Sequence, residues 1–195
     1  MFGELEFGSE FFEGLTAIDQ EIAAKLAAEA CPLCGGRLHQ GNYLRKPRGG
    51  LLASAAEKFR VRFSLCCGRD GCRRRATPPS VRFLGRRVYV GAAVIAASII
   101  TLARSTAAAA QRDTGISART TRRWLRWWRG GFVRTAEFVN IAARIVGIDR
   151  KRLPASILEH IAGPAEMAVE RLLGWLAPLT TTSTPDGSRF VRGLV

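Results

Sequence analysis

Histidine is nearly absent from these 195 residues: only His39 and His160 occur, far apart in the chain. A histidine general base therefore has few candidates, and no serine-nucleophile motif takes its place. Lysine is scarce too. Lys25, Lys46, Lys58 and Lys151 are the four lysines among 30 basic residues, so the other 26 are arginines. Acids number 16, which leaves a net charge of +14. No apolar run reaches the ~20 residues that a membrane span requires. The longest, Val88 to Ala103, stops at 16 residues and is rich in alanine. The chain opens on acidic residues without a basic-then-apolar pattern, so a secretory leader is not expected. A cytoplasmic, nucleoid-associated location is expected, with no membrane partner. In that reducing compartment five cysteines point to metal or free thiols rather than to disulfides.

What is present in excess is positive charge, and it is unevenly placed. Residues 1–30 hold seven acids against Lys25. Between Cys31 and Arg87 the balance reverses to 14 basic residues against Glu57 and Asp70. A solvated protein face usually mixes signs. So one-sided a stretch implies a polyanion, because each phosphate neutralised by an arginine releases a condensed counterion.

Hydropathy periods divide the chain into an acidic helix within 1–30, a β segment at 31–87, helices at 88–130 and 131–177, and a flexible tail at 178–195. Thr16 to Ala30 reads as a helix, with Thr16 as N-cap, Asp19 three residues on, and Ile18, Ile22 and Leu26 as an apolar stripe. Phe59, Val61, Phe63 and Leu65 alternate with Arg60, Arg62 and Ser64, which predicts a strand with arginines on its outer face. Val81, Phe83 and Val88–Val90 suggest a hairpin turning at Gly85. Further helices are expected over Val90–Ala103, Thr106–Arg112, Ser117–Arg129, Phe132–Val146 and Ala165–Leu176, with Gly130-Gly131 ending the third of them. The fold class is α+β: a small β zinc ribbon after an N-terminal helix, then an all-α helix-turn-helix bundle.

The ribbon is expected from Cys31-Pro-Leu-Cys34-Gly-Gly. Two thiolates separated by two residues can share one tetrahedral ion, and the glycine lets the chain turn back around it. The second pair comes from Cys66, Cys67 and Cys72. On the strand leading in, Cys67 continues the inward face and Cys66 the outer one, so Cys31, Cys34, Cys67 and Cys72 are the expected ligands of one structural Zn²⁺. Cys66 stands as the alternate to Cys67, and His39 as the alternate to a thiolate. Around the metal, Arg60, Arg62, Arg73, Arg74 and Arg75 are expected to clamp phosphates.

The helix-turn-helix is expected from Gly115-Ile116-Ser117-Ala-Arg119-Thr-Thr-Arg122-Arg123-Trp-Leu-Arg126. Glycine permits the turn, Ile116 anchors it, and Ser117 caps the helix that follows. Thr121, Trp124, Leu125 and Trp128 share an inner face. Arg119, Arg122, Arg123 and Arg126 share the outer one, as a DNA-reading helix requires. No acid intervenes between Ile116 and Glu137.

Taken together, CPLCGG, the second cysteine cluster, the run RRRATPPSVRFLGRRVY and the later GISARTTRRW resemble the zinc-ribbon plus helix-turn-helix front end of bacterial insertion-sequence transposases. They equally resemble the small proteins encoded beside such elements. The resemblance spans roughly residues 31 to 129. It departs at Gln111, where alanine is usual, and at Thr121, where valine is usual. It implies a site-specific double-stranded DNA-binding protein, serving as accessory factor in transposition or recombination or as a transcription regulator. The carboxylates after Arg129 are too scattered for a two-metal catalytic pair, so no enzymatic activity is expected. The alternatives are an RNA-binding zinc-ribbon protein, and an adaptor whose acidic N-terminal helix recruits a recombinase. The apolar residues after Gly131 would complete the core or form a homodimer face.

Overall fold

The computed structural model describes residues 7–45, 57–84, 89–104, 106–183 and 191. The expected turn at Gly85, the basic Lys46 and Arg48, and most of the tail beyond residue 183 lie outside them. The described residues form an α+β fold of short antiparallel strands and α-helices. None of these helices is long and apolar enough to cross a membrane.

The first helix, α1 (Ser9–Ala28), begins seven residues before the expected Thr16. Phe11, Phe12 and Leu15 extend the buried stripe of Ile22 and Leu26 upstream, so burial carries the helix back to Gly8. Thr16 does not cap it. The Thr16 hydroxyl sits mid-helix and donates to the Phe12 carbonyl at 2.6 Å.

Among the described residues seven strands of two or three residues follow: β1 (Leu38–Gln40), β2 (Tyr43–Leu44), β3 (Val61–Arg62), β4 (Leu65–Cys67), β5 (Arg75–Ala76), β6 (Phe83–Leu84) and β7 (Tyr89–Val90). One sheet has the order β1-β4-β5, while β2 pairs with β3 and β6 with β7, all antiparallel. The last pair bears out the expected hairpin.

The alternation expected over 59–65 is overturned at its centre. Residues Glu57–Arg60 form a 3₁₀ turn, and Phe59 enters the core from it, with its ring 5.9 Å from that of Phe12. The chain then leaves the turn in the opposite phase. Arg62 and Ser64 are buried, while Val61 and Phe63 are half-buried. Hydrogen bonds sustain that burial: the Arg62 guanidinium donates to the Pro78 carbonyl, and the Ser64 hydroxyl meets that of Thr77 at 3.3 Å. Ser64 and Leu65 are both buried in succession, which resets the phase and turns Leu65 and Cys67 inward.

A buried ion pair joins α1 to this region. The Asp19 carboxylate accepts from the Arg82 Nε at 2.8 Å, from the Ser80 hydroxyl at 2.6 Å and from the Val81 amide at 2.7 Å. Arg82 spends its other donors on the carbonyls of Phe59 and Val61, at 3.0 and 2.8 Å. The Ser80 amide in turn donates to the Thr180 hydroxyl at 2.9 Å. Asp19 was expected near the start of α1 as a capping partner; it is instead the acceptor that satisfies a buried guanidinium.

Beyond β7 the chain is helical: α2 (Gly91–Ala103), α3 (Ala107–Thr114), α4 (Ala118–Arg126), α5 (Ala136–Ala142), α6 (Ala155–Leu158) and α7 (Ala165–Leu176). Every residue of α2 from Gly91 to Ile99 is buried, which makes it the central helix against which α3, α4 and α7 pack. Small residues allow the close approach: a Cβ on Gly91 would lie 2.4 Å from Leu173. Gly130-Gly131 does not stop the chain after α4. A π turn over Trp127–Gly131 and a 3₁₀ turn over Phe132–Arg134 carry it on to Thr135, which caps α5. Gly131 serves packing here, since a Cβ would lie 2.8 Å from the Trp127 ring. Trp128 is fully buried, and its indole N–H donates to the Ser98 hydroxyl at 3.1 Å. The helix expected over 132–146 is thereby shortened to α5, whereas α7 runs as expected.

The tail is also less loose than its composition suggests. Thr180 is buried, the Ser183 hydroxyl accepts from the Thr77 amide at 2.9 Å, and Val191 lies in the core. The main buried cluster draws on residues from Phe11 to Val191 and so on each of the segments read from the sequence.

Removing the Asp19 carboxylate leaves Arg82 charged and unpaired in that core. Asp19→Ala should cost ~3–5 kcal/mol of stability in urea denaturation, whereas Glu21→Ala on the exposed face of α1 should stay within about 0.5 kcal/mol. Equal effects would mean that the buried pair is not holding α1 in place.

Candidate metal centre and basic helix

Four cysteine sulfurs converge between the α1 end of the chain and the three-stranded sheet. The Sγ atoms of Cys31, Cys34, Cys67 and Cys72 all lie within 4.8 Å of one another. Cys34 and Cys67 are 3.4 Å apart and Cys31 and Cys72 3.9 Å, far beyond a disulfide bond. Four sulfurs each ~2.3 Å from a central zinc would stand ~3.8 Å apart, so these separations bracket a tetrahedral thiolate site.

The backbone explains the convergence. In the first knuckle the Gly35 amide donates to the Cys31 carbonyl and the Cys31 amide to the Gly36 carbonyl, both at 2.8 Å. Gly35 takes the left-handed φ of +69° that the turn requires. Gly36 is a glycine for a different reason: a Cβ there would meet both Cys67 Sγ and Arg69 Cβ at 2.9 Å. In the wider second loop the Cys72 and Arg73 amides donate to the Arg69 carbonyl, at 3.1 and 3.3 Å. Gly71 and Arg73 both adopt positive φ to close it, at +82° and +42°.

Three of the four sulfurs accept the amide two residues further on: Cys34 from Gly36, Cys67 from Arg69 and Cys72 from Arg74. Such amides stabilise thiolate charge. The Gly36 amide, helped by the neighbouring thiols, brings Cys34 down to about 7. At Cys67 the Arg69 amide pulls the same way, but burial and the thiols of Cys34, Cys72 and Cys31 outweigh it and push that group up to about 12. Without a cation the cluster therefore holds its protons unequally; a bound divalent ion would displace them.

The choice between Cys66 and Cys67 is settled by β4. Cys67 is buried and faces the cluster. Cys66 points to the other side of the strand, with its thiol 3.3 Å from the Arg73 carbonyl. His39 lies opposite Cys66 in the sheet, is exposed and is not in the sulfur cluster. Its ring covers Gly68, where a Cβ would meet Nε2 at 2.5 Å.

The arginines around the sulfurs divide by what they already contact. Arg62 was expected outside and is the clearest correction. It is 1% exposed, and burial lowers its guanidinium to about 10 against the opposing pull of Asp19. Arg60 is half-buried with an occluded Nε. Arg75 is exposed but bonded to the Gly41 carbonyl and the Ser64 hydroxyl, at 2.9 and 3.2 Å, and it covers the Tyr43 ring at 5.2 Å. Arg73 pairs with Asp70 at 2.6 Å in the open. Arg74 is exposed. Arg69, one of the 14 basic residues between Cys31 and Arg87, bridges the two knuckles by donating to the Cys34 carbonyl at 2.8 Å. Its signal was its place two residues after Cys67, matching Gly36 after Cys34.

In the helical half, α3 ends at Gly115 with φ +65°, and Ser117 caps α4 by accepting from the Thr120 amide. Ile116 is buried with Val94 and Ala97 of α2 and with Trp124, which fixes the turn and α4 against the central helix. Thr121, Trp124 and Trp128 are buried as expected; Leu125 is half-buried. Ser117, Arg119, Arg122, Arg123 and Arg126 are exposed together. The Arg122 Nε donates to the Ala118 carbonyl at 3.2 Å, which steadies the start of that side chain. The two departures from the resembled pattern both find partners. The Gln111 side chain accepts from the Ala118 amide at 3.4 Å while Ala110 takes the buried position. The Thr121 hydroxyl donates to the Ala118 carbonyl at 3.2 Å.

The cluster geometry makes the ligand set testable. Purified protein should retain about one tightly held divalent ion per chain. Cys66→Ser should keep it, Cys67→Ser and Gly36→Ala should lose it, and acidification should release it as protons reclaim the thiolates. Metal content by elemental analysis reads all of these; retention in Cys67→Ser with loss in Cys66→Ser would reverse the assignment. Comparison of the chain with protein-family models, with curated proteins and with solved structures gives no match.

Proposed function

We propose that this chain is a zinc-stabilised, sequence-specific double-stranded DNA-binding protein without catalytic activity, whose α3–turn–α4 unit is a helix-turn-helix. The observation that carries this reading is the outer face of α4. Four arginines stand exposed on it, at spacings of three and four residues, while Thr121, Trp124 and Trp128 fix the opposite face in the core. A helix so anchored presents guanidinium groups to the major groove with little freedom to roll.

Zinc is the ion that a four-thiolate tetrahedral site favours. With every position filled by sulfur, it serves the fold and leaves no place for substrate or water. Two of the later carboxylates have structural duties: Asp149 accepts from the Lys151 amide, and Glu159 pairs with Arg152. The resemblance to the DNA-binding front end of insertion-sequence transposases fits an accessory role in transposition or recombination, or a role in transcription.

The buried Arg62 and the engaged Arg75 are withdrawn from the phosphate-binding set, which leaves Arg74 as its best-placed member near the metal. Binding to duplex DNA should weaken with salt at a log–log slope of about −5 to −7, as ~6–8 phosphate contacts require. Arg119→Ala or Arg122→Ala should cost ~1–3 kcal/mol on a preferred duplex and much less on random duplex, while Arg74→Ala should weaken both alike and flatten the slope by about one. A slope shallower than about −2, or tighter binding to structured RNA than to duplex at equal salt, would overturn the reading.

A further inference from the structure

Resting on the reading of α4 as a major-groove helix, we infer that the bases it recognises are guanines, in a short G·C-rich core. The inference comes from which chemistries the exposed face offers and which it lacks. Adenine is read through a bidentate asparagine or glutamine, and cytosine through a carboxylate that accepts from its amino group. Neither occurs between Ser117 and Arg129. The nearest amide, Gln111, belongs to α3, and its oxygen is turned onto the Ala118 amide. The hydroxyls of Ser117 and Thr120 are 3.1 Å from each other, and Ser117 also receives the Thr120 amide. Ala118 is half-buried, so its methyl is a poor partner for thymine.

What remains is arginine. The planar guanidinium matches the N7 and O6 acceptors of guanine with two parallel hydrogen bonds, and no other base offers that pair in the major groove. Arg119, Arg122 and Arg126 are exposed. With Nε held by the Ala118 carbonyl, Arg122 keeps its two terminal nitrogens for such a fork. At 1.5 Å per residue, Arg119 to Arg126 spans ~10 Å, the length of about three base pairs. Residues near the start of a reading helix reach deepest, which assigns base contacts to Arg119 and Arg122 and a flanking phosphate to Arg126.

The experiment selects binding sites from a random duplex library with the zinc-loaded full chain, then alters the DNA rather than the protein. Selected sites should share at least two guanines within three or four base pairs. Replacing each by 7-deazaguanine, which deletes only the N7 acceptor, should weaken binding roughly 5- to 100-fold. Inosine at the same positions removes the minor-groove amino group and should change binding less than about twofold. In Arg122→Ala one of the 7-deazaguanine penalties should vanish, which a merely structural role for Arg122 would not produce. An enriched core of A·T pairs, or 7-deazaguanine bound as tightly as guanine, overturns the guanine assignment while leaving duplex binding intact. Enrichment of no duplex at all overturns both this inference and the reading beneath it.

Discussion

Asp19 is the one buried carboxylate among the described residues, and it sits where three distant parts of the chain meet. Its two oxygens take donors from Ser80, Val81 and Arg82. Through Arg82 it fixes the carbonyls of Phe59 and Val61, and through Ser80 it reaches Thr180. A buried charge pair adds little net stability by itself, because desolvation offsets most of the attraction. Its effect is on placement: every alternative position of α1 or of Arg82 leaves an uncompensated charge in the core. The acidic N-terminal helix, the arginine-rich strands and the C-terminal segment are thereby set in one arrangement.

That constraint matters because the β region has little else. Strands of two or three residues bury too little surface to hold themselves together, and an isolated hairpin is marginal in water. The region compensates with three devices. Four sulfurs close around one point. Guanidinium groups lie over aromatic rings, Arg82 at 5.0 Å from the Phe63 ring centroid and Arg75 at 5.2 Å from that of Tyr43. The Asp19 node supplies the third. Several of the arginines that make the sequence so basic are therefore part of the scaffold, and fewer face outward than composition suggests.

The same division explains what could be read from the sequence. Short-range chemistry was legible. The cysteine spacing gave the four sulfurs, and the period of two from Leu65 placed Cys67 ahead of Cys66 even though residues 61–64 leading in run in the other phase, while Ser117 and the 121–124 spacing gave the two faces of α4. Long-range pairing was not legible. Arg62 is buried because the Pro78 carbonyl receives its guanidinium, and Asp19 because Arg82 lies 63 positions further on; no local period encodes either. The start of α1 lies upstream because Phe12 packs against Phe59, and Gly131 serves the packing of Trp127 rather than a stop. The docked Ser183 likewise answers to Thr77, more than a hundred residues earlier.

On the proposed function α4 is the surface that duplex DNA would cover; it is backed by α2 and held in place by the buried Trp124 and Trp128. Arginine modification by phenylglyoxal, mapped by mass spectrometry on the zinc-loaded protein with and without saturating duplex, tests this most directly. Protection of Arg119, Arg122 and Arg126 by duplex, with Arg171 on α7 modified equally in both states, is the result the account predicts. Unchanged modification of the α4 arginines under saturating duplex, or protection confined to Arg150 and Arg152, would contradict it.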